Sequence, residues 1–395
     1  MVKTEEKYYI VDFVASRKYF HQYPLILGLV RFLSRDNQRP IVLLPSVADR
    51  EDFELTSEEV NFVLDSGYSS RNYKPLRHLA HKLLSIASPA QYSHAYIKSF
   101  LRKRYIKSGL KYLQQSNKEI DVHIIFPTLD PLSLELAQIL SRISKMQKYF
   151  FYFRIVGAES RGILSSNSEL DTLLSLVKQY PKKIKIGVET TGYKLYLENL
   201  GFDSSCIFWS PWPYLDDFDK QKYKNKQFKI GFLGCAKQRK GFDNIPRILN
   251  DLKVNGINFD TYIQEANFPW AEYENTKKEI HSLMGNKFQF LSSNLDLIDL
   301  QRYIGECDIL ILPYDNDSYS INASGILYHA SDSSVPVITA NGVGFADEIV
   351  KFNLGLTYTN LREISELIKR IKPMKFDFVS YNIQRNLANR VFYFN

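Results

Sequence analysis

Short apolar runs alternate with amphipathic stretches along nearly the whole chain. In the first half YYIVDFV (8–14), PIVLLPS (40–46), DVHIIFP (121–127), YFFYFRIVG (149–157) and KIKIGVE (183–189) read as strands. YPLILGLVRFLSR, LSLELAQILSRIS and GYKLYLENLG read as helices between or after them. Strands this apolar, separated by helical periodicity, predict a parallel sheet covered on both faces.

Around 210–227, SPWPYLDDFDKQKYKNKQ breaks the pattern with prolines, aromatics and mixed charge, which marks a linker. The alternation then restarts. Strands are expected at FKIGFLG (228–234), FDTYIQ (259–264), KFQFLSS (287–293), CDILILPY (307–314), VPVIT (335–339) and LGLTY (354–358). Helices are expected at FDNIPRILNDLKVNG, DLIDLQRYIGE, from Ser324 to Ser331, and at LREISELIKRI. From about Lys372 only a final helix, QRNLANRVF, is legible. The expected organisation is an N-terminal domain over 1–211, a linker over 212–227, a second domain over 228–371, and a C-terminal segment over 372–395 that packs back on the first domain. The fold class is α/β, two doubly wound Rossmann-like domains facing each other across a cleft at the strand C-terminal ends.

Composition sharpens this in two ways. Three cysteines (Cys206, Cys235, Cys307) are too scattered for a disulfide framework or a zinc site, and no metal is expected. The N-terminal MVKTEEKYYIVDFVAS reads as a first strand rather than an export leader, and no run approaches the ~18 apolar residues of a membrane span. The expected location is the cytoplasm, peripheral on the inner face of the cell membrane.

The net charge of +8 is unevenly placed. Between Ser66 and Lys118 there are eleven Lys and Arg and no Asp or Glu, leaving 40 basic against 43 acidic residues elsewhere. Within it Tyr96, Phe100, Leu101, Tyr105 and Leu110 recur at helical spacing. Arg102, Lys103, Arg104 and Lys107 are the candidates to meet an anionic membrane surface. A solvated basic face and nucleic acid are the alternatives, nucleic acid the less expected.

Two stretches carry chemistry. In GFLGCAKQRKGF (231–242) a strand ends at Gly234, the chain turns, and Arg239-Lys240-Gly241 precede a helix. Two cations beside a helix N-terminus suit a diphosphate without a metal. In CDILILPYDNDSYSINASGILYHASDSSVPVITANGVG (307–344) a polar loop leads to a helix opening at Ser324-Gly325, and Gly342 and Gly344 permit a further close backbone approach.

Taken in order, RKG (239–241), CDILILPY (307–314), SGILYHA (324–330), VPVI (335–338) and NGVGFADEIV (341–350) resemble the C-terminal domain of GT-B nucleotide-sugar glycosyltransferases, in particular the retaining group often called family 4. The resemblance covers roughly residues 228–371. It implies a nucleotide-sugar donor held by Gly234, Arg239, Lys240, Ser324, Gly325 and Ile326, with Tyr319 and Asn322 facing the sugar. Arg239 and Lys240 would stabilise the leaving diphosphate, which takes the acceptor proton. The E-x7-E carboxylates of that group are missing: His329 stands at the second and Ile321 near the first. His329 would then meet the ribose with one ring nitrogen. Glu348 either caps the helix after the glycine-rich loop or touches the sugar.

The first half resembles the group only in its alternation and position, as an acceptor domain. Its loops after strands hold His21 and Tyr23, Thr128 and Asp130, and Glu159 and Arg161. Asp130 and Glu159 are candidates to orient an acceptor hydroxyl, and Arg161 to contact the acceptor. The expected activity is transfer of a sugar to a glycan or lipid-linked acceptor in surface polysaccharide synthesis. A non-catalytic nucleotide- or glycan-binding relative and a glycosyltransferase acting on nucleic acid remain open.

Overall fold

The computed structural model describes residues 6–11, 22–35, 38, 40–45, 60–64, 110, 113, 121–129, 131–143, 149–155, 167–214 and 227–394. Two sheets organise them. The first has seven strands: β1 (Glu6–Val11), β2 (Ile41–Pro45), β3 (Val60–Leu64), β4 (Asp121–Phe126), β5 (Tyr149–Ile155), β6 (Ile184–Val188) and β7 (Ile207–Trp209), in the order β3-β2-β1-β4-β5-β6-β7. The pairings of β3, β2, β1, β4 and β5 are parallel, with Ile10 beside both Val42 and Ile125 in the interior. Helices α1 (Gln22–Arg35), α2 (Pro131–Ile143), α3 (Asn167–Gln179) and α4 (Thr191–Asn199) belong to this half of the sequence. Leu25, Ile26, Leu29, Val30 and Leu33 make a buried stripe on α1 at three- and four-residue steps, the pattern that makes it a helix lying on the sheet.

The second sheet has six strands, all parallel: β8 (Lys229–Phe232), β9 (Asp260–Gln264), β10 (Phe288–Leu291), β11 (Ile309–Leu312), β12 (Val337–Ala340) and β13 (Gly355–Tyr358), in the order β10-β9-β8-β11-β12-β13. Every residue of β11 and β12 is buried, as befits central strands covered on both faces. Its helices are α5 (Ile245–Val254), α6 (Tyr273–Met284), α7 (Leu297–Gly305), α8 (Asn316–Tyr319), α9 (Gly325–Asp332), α10 (Ala346–Lys351), α11 (Ile364–Ile371) and α12 (Phe378–Phe394). The order reverses between β8 and β11, the switch point where doubly wound sheets place ligands.

The chain divides into two compact units, with 188–200 and 208–395 together in the second. Helix α4 and the stretch after β7 therefore go with the second sheet. The contacts described for α12 also lie within that unit. Arg385 donates to the Trp212 carbonyl (2.8 Å), Asn389 to the Pro211 carbonyl (2.9 Å), and Asn386 accepts from the Tyr214 N–H (3.0 Å). Of the expected linker, only 212–214 and 227 are among the described residues.

Candidate functional site

The site grows from the end of β8. Gly234 has φ +108° and Cys235 φ +37°, so the chain turns through left-handed conformations. The turn is fixed from behind. Gln264, at the end of β9, accepts the N–H groups of both Gly234 and Cys235 at 2.7 Å through one carbonyl oxygen. Its own amide donates to the carbonyls of Ser292 (3.3 Å) and Ser293 (3.2 Å). Those two backbone N–H groups are thus turned into the protein.

A 3₁₀ turn over Gln238–Lys240 follows and ends at Gly241, φ +73°. A Cβ there would fall 1.8 Å from the Pro313 carbonyl oxygen, so only glycine lets this turn press onto the end of β11. Asp315 N–H donates to the Arg239 carbonyl (3.0 Å), locking the two loops together. Arg239 and Lys240 are both half-buried. The Arg239 guanidinium lies 5.7 Å from the Tyr319 ring centre. The Lys240 ammonium donates to the Gly234 carbonyl and lies 5.6 Å from the Tyr314 ring. Among the described residues no carboxylate pairs with either cation. Burial pulls the Lys240 ammonium below the usual lysine range, and Arg239 adds to this, while Tyr319 and Cys235 act against it.

The opposite wall is the start of α9. Ser324 stands at its N-cap, but its side chain makes no capping bond; the hydroxyl instead meets Tyr314 Oη at 3.4 Å. The Ser324 side chain therefore satisfies none of the first-turn N–H groups, whose partial positive charge faces this end of the helix. A methyl group on Gly234 would lie 2.7 Å from Ile326 Cγ1 and 3.2 Å from both Lys240 Nζ and Tyr314 Oη, so these three groups surround one point. A small space opens beside Gly234, Lys240 and Tyr314, and apolar side chains, among them Phe232, Phe242, Ile245 and Ile311, make up most of its remaining lining. Burial pushes the Tyr314 hydroxyl up to about 12, so it stays a neutral hydrogen-bonding group.

The structure therefore brings Gly234, Arg239, Lys240, Ser324, Gly325 and Ile326 together. Tyr319 is buried with its ring 4.5 Å from that of Tyr314, beneath Arg239. Asn322 is also buried, its amide donating to the Ser318 carbonyl (2.9 Å). The glycines at 342 and 344 do permit a close backbone approach, and what approaches is the chain itself. A Cβ on Gly344 would lie 2.6 Å from the Ile321 carbonyl carbon, and the Gly344 N–H donates to the Tyr319 carbonyl.

His329 sits deeper on α9, edge-on to Trp212 at 5.7 Å. Gln301 Oε1 accepts from Ser333 (2.6 Å), so its amide N–H donates to His329 Nδ1 (2.8 Å), which puts the ring proton on Nε2. Burial, with Arg385 adding, pushes His329 down to about 4, so the ring is neutral. Glu348 does not cap its helix: it accepts from Tyr381 Oη (2.7 Å) and Trp209 Nε1 (3.3 Å). Burial pushes its carboxyl up to about 7 against those two bonds, helped by Glu189. Of the first-half candidates, Thr128 is buried. Asp130, Glu159, Arg161, His21, the Tyr23 side chain, Arg102, Lys103, Arg104 and Lys107 lie outside the described residues.

Sequence reasoning missed Gln264 and Tyr314. Tyr314 was in view as the last residue of CDILILPY, where the apolar run ends in a polar aromatic. Nothing in the sequence marks Gln264, whose role depends on β8 and β9 being neighbours.

No protein-family model matches the chain, and no curated protein matches it. Solved structures do. The lipopolysaccharide outer core galactosyltransferase WaaB, in its apo form, is 11% identical, with 97% of this chain and 99% of that one covered and a TM-score of 0.63. HepE from Anabaena, in complex with UDP and glucose, is 16% identical over 97% and 98%, TM-score 0.58. Sucrose-phosphate synthase from Thermosynechococcus elongatus is 12% identical over 98% and 95%, TM-score 0.59. The chain has the fold of these GT-B glycosyltransferases, two Rossmann-like units, as the motif order implies.

Proposed function

We propose that the chain is a glycosyltransferase whose second unit holds a nucleotide diphosphate sugar. The observation that carries this reading is the pair Arg239 and Lys240. Two half-buried cations without a carboxylate partner among the described residues stand near a helix start that its N-cap side chain leaves uncapped, and one of them, Lys240, lines a small space. Holding like charges together without a counter-ion is unfavourable, and a diphosphate relieves it. In this reading Lys240 leaves the Gly234 carbonyl for a phosphate oxygen, Arg239 stays oriented by Tyr319, and the N–H groups of Gly325 and Ile326 take another. The same groups stabilise the diphosphate as it leaves, in the role otherwise given to a divalent ion. HepE from Anabaena, solved both with UDP and with UDP and glucose, supports the ligand class.

The finer reading is retaining transfer to a glycan or lipid-linked acceptor in surface polysaccharide synthesis. The acceptor falls to the first unit, and the basic segment containing Arg102, Lys103, Arg104 and Lys107 draws it to an anionic leaflet. No helix among the described residues is long and apolar enough to cross a membrane.

Calorimetric titration with UDP tests the placement. Lys240→Ala removes a charge-assisted bond of ~1.5–3 kcal/mol, so affinity should fall about tenfold or more. Unchanged affinity in the folded variant refutes the placement. Slow release of free sugar from a UDP-sugar separates an enzyme from a binding relative, which would hold the nucleotide without turnover.

A further inference from the structure

One aromatic side chain beside the cradle has no part in the fold. Phe268 is 89% exposed, and its ring meets no other ring or cation among the described residues. It stands in EANFPWAE (265–272), between β9 and α6, which leaves the sheet at the edge where doubly wound domains bind ligands. That stretch is pinned to the cradle at both ends. At its start the Glu265 carbonyl accepts the Ala236 N–H at 3.1 Å, one residue after Gln264 takes those of Gly234 and Cys235. At its end Trp270 donates through Nε1 to the Asp243 carboxylate (3.2 Å) and lies edge-on to Phe242 at 5.5 Å. The two pins fall on either side of Arg239 and Lys240. Phe268 is three residues from one and two from the other, so the chain holds it within ~11 Å of Glu265 and ~7 Å of Trp270.

The neighbours of Phe268 are accounted for within the fold. Trp270 and Tyr273 join Phe242 in one aromatic cluster, with ring centres 5.0 to 5.5 Å apart. The Ala266 N–H donates to Tyr273 Oη (3.1 Å), and Glu265 pairs with Lys277. The backbone on either side of Phe268 is therefore held, while its ring is left to solvent. A single exposed apolar side chain is ordinary; this one is set apart by being held beside a pair of cations that suit a diphosphate. We propose that Phe268 is the stacking platform for the nucleobase of the bound nucleotide, an inference that rests on the diphosphate placement above. The base is the flat, uncharged end of such a ligand, and Arg239 and Lys240 offer it nothing. Every nucleobase has a π-face, and an aromatic ring binds that face without reading the hydrogen-bonding edge. A phenylalanine on a pinned stretch loses little freedom on stacking, since only two side-chain torsions become fixed.

Calorimetric titration of the full chain with UDP and with pyrophosphate, which has no base, tests it in the parent, Phe268→Ala and Phe268→Tyr. The parent should bind UDP more tightly than pyrophosphate. Phe268→Ala should weaken UDP binding about tenfold and leave pyrophosphate binding at the parent's value. Phe268→Tyr keeps the ring and should keep both affinities. Circular dichroism checks the fold of each variant, and Phe268→Leu, which keeps the bulk and removes the π-face, replaces Phe268→Ala should that one fail to fold. Unchanged UDP affinity in the folded variant overturns the proposal. So does an equal fall for UDP and pyrophosphate, which would make Phe268 a support of the cradle. A parent that binds pyrophosphate as tightly as UDP keeps the diphosphate site and overturns the platform. A parent that binds neither refutes the diphosphate site, and the platform falls with it.

Discussion

Two charged regions of the second unit are built on opposite plans. On the buried side of α12 the charges are answered. Arg385 is 1% exposed, yet its guanidinium pairs with Asp332 at 2.6 Å and donates to Ser331, Asn382 and the Trp212 carbonyl. Glu348 accepts from Tyr381 and Trp209, and Glu189 from Trp212 at 2.5 Å. At the end of β8, by contrast, Arg239 and Lys240 have aromatic rings and a carbonyl for company and no carboxylate among the described residues. The first arrangement ties the stretch after β7 to α9 and α12 and leaves no charge for a ligand to answer. The second leaves charge unneutralised beside a space, which is the condition for binding an anion.

The comparison predicts that the two regions fail differently. Asp332→Ala strands a buried guanidinium and should cost about 3–5 kcal/mol, lowering the thermal midpoint by roughly 6–20 °C. The paired change Asp332→Leu with Arg385→Met should recover much of that loss, since it removes both charges. Lys240→Ala should leave the midpoint within a degree or so of the parent's while lowering UDP affinity. Scanning calorimetry of the three variants decides: a Lys240→Ala midpoint as low as that of Asp332→Ala would make the cradle structural and end the contrast.

Glu348 gives the second test. Its folded pKa, about 7, lies above the ~4.3 of an unfolded glutamate. Between those values the folded state holds more protons than the unfolded state, so its stability falls as pH rises from about 4 through 7. The loss should reach roughly 2–4 kcal/mol by pH 8. Glu348→Gln cannot ionise and should flatten this slope in urea melts at pH 5, 6.5 and 8. An equal slope in parent and variant would show that the Tyr381 and Trp209 bonds already hold the carboxylate ionised.

What was legible beforehand follows the same division. The strands of the second sheet were readable because β8, β11 and β12 are mostly apolar, β11 wholly so, and bounded by glycine, proline or polar turns. So was the cradle, because a glycine turn with RKG and a later SG helix start are local patterns. Strand β3, VNFVL, passed unnoticed with an asparagine at its second position, and β7 is only three residues long. Helix α6, YENTKKEIHSLM, buries only Tyr273, Thr276, Ile280 and Met284, too thin a stripe to stand out among its charges. Helix α3, NSELDTLLSLVKQ, was also passed over. The answered charges were invisible for a different reason. Asp332 and Arg385 are far apart in sequence, and neither residue type announces burial. Burial also changed the meaning of His329. As a letter it stood where a ribose-binding carboxylate was expected; in the fold its Nδ1 is taken by Gln301, and Nε2–H is the donor that remains.

The smallest expected effect concerns how the cradle titrates. Without ligand, Lys240 loses its proton below the usual lysine range of about 10.4, because burial disfavours the ammonium. A bound diphosphate favours that ammonium and raises its pKa. Binding must therefore take up a proton once the pH exceeds the ligand-free value, and UDP affinity must fall as pH rises through it. Working above about pH 7.5 keeps the terminal phosphate, whose second pKa is about 6, fully ionised, and any slope from the uracil N3–H at alkaline pH is shared by parent and variant. Arg239 remains as the second contact to the diphosphate, which limits the decline to about the loss seen in Lys240→Ala. Calorimetry of UDP binding between pH 7.5 and 10 should show affinity declining toward the level of that variant, and the variant's own profile should lack this additional decline. A decline of equal steepness in Lys240→Ala would place the titrating group elsewhere and remove Lys240 from the diphosphate.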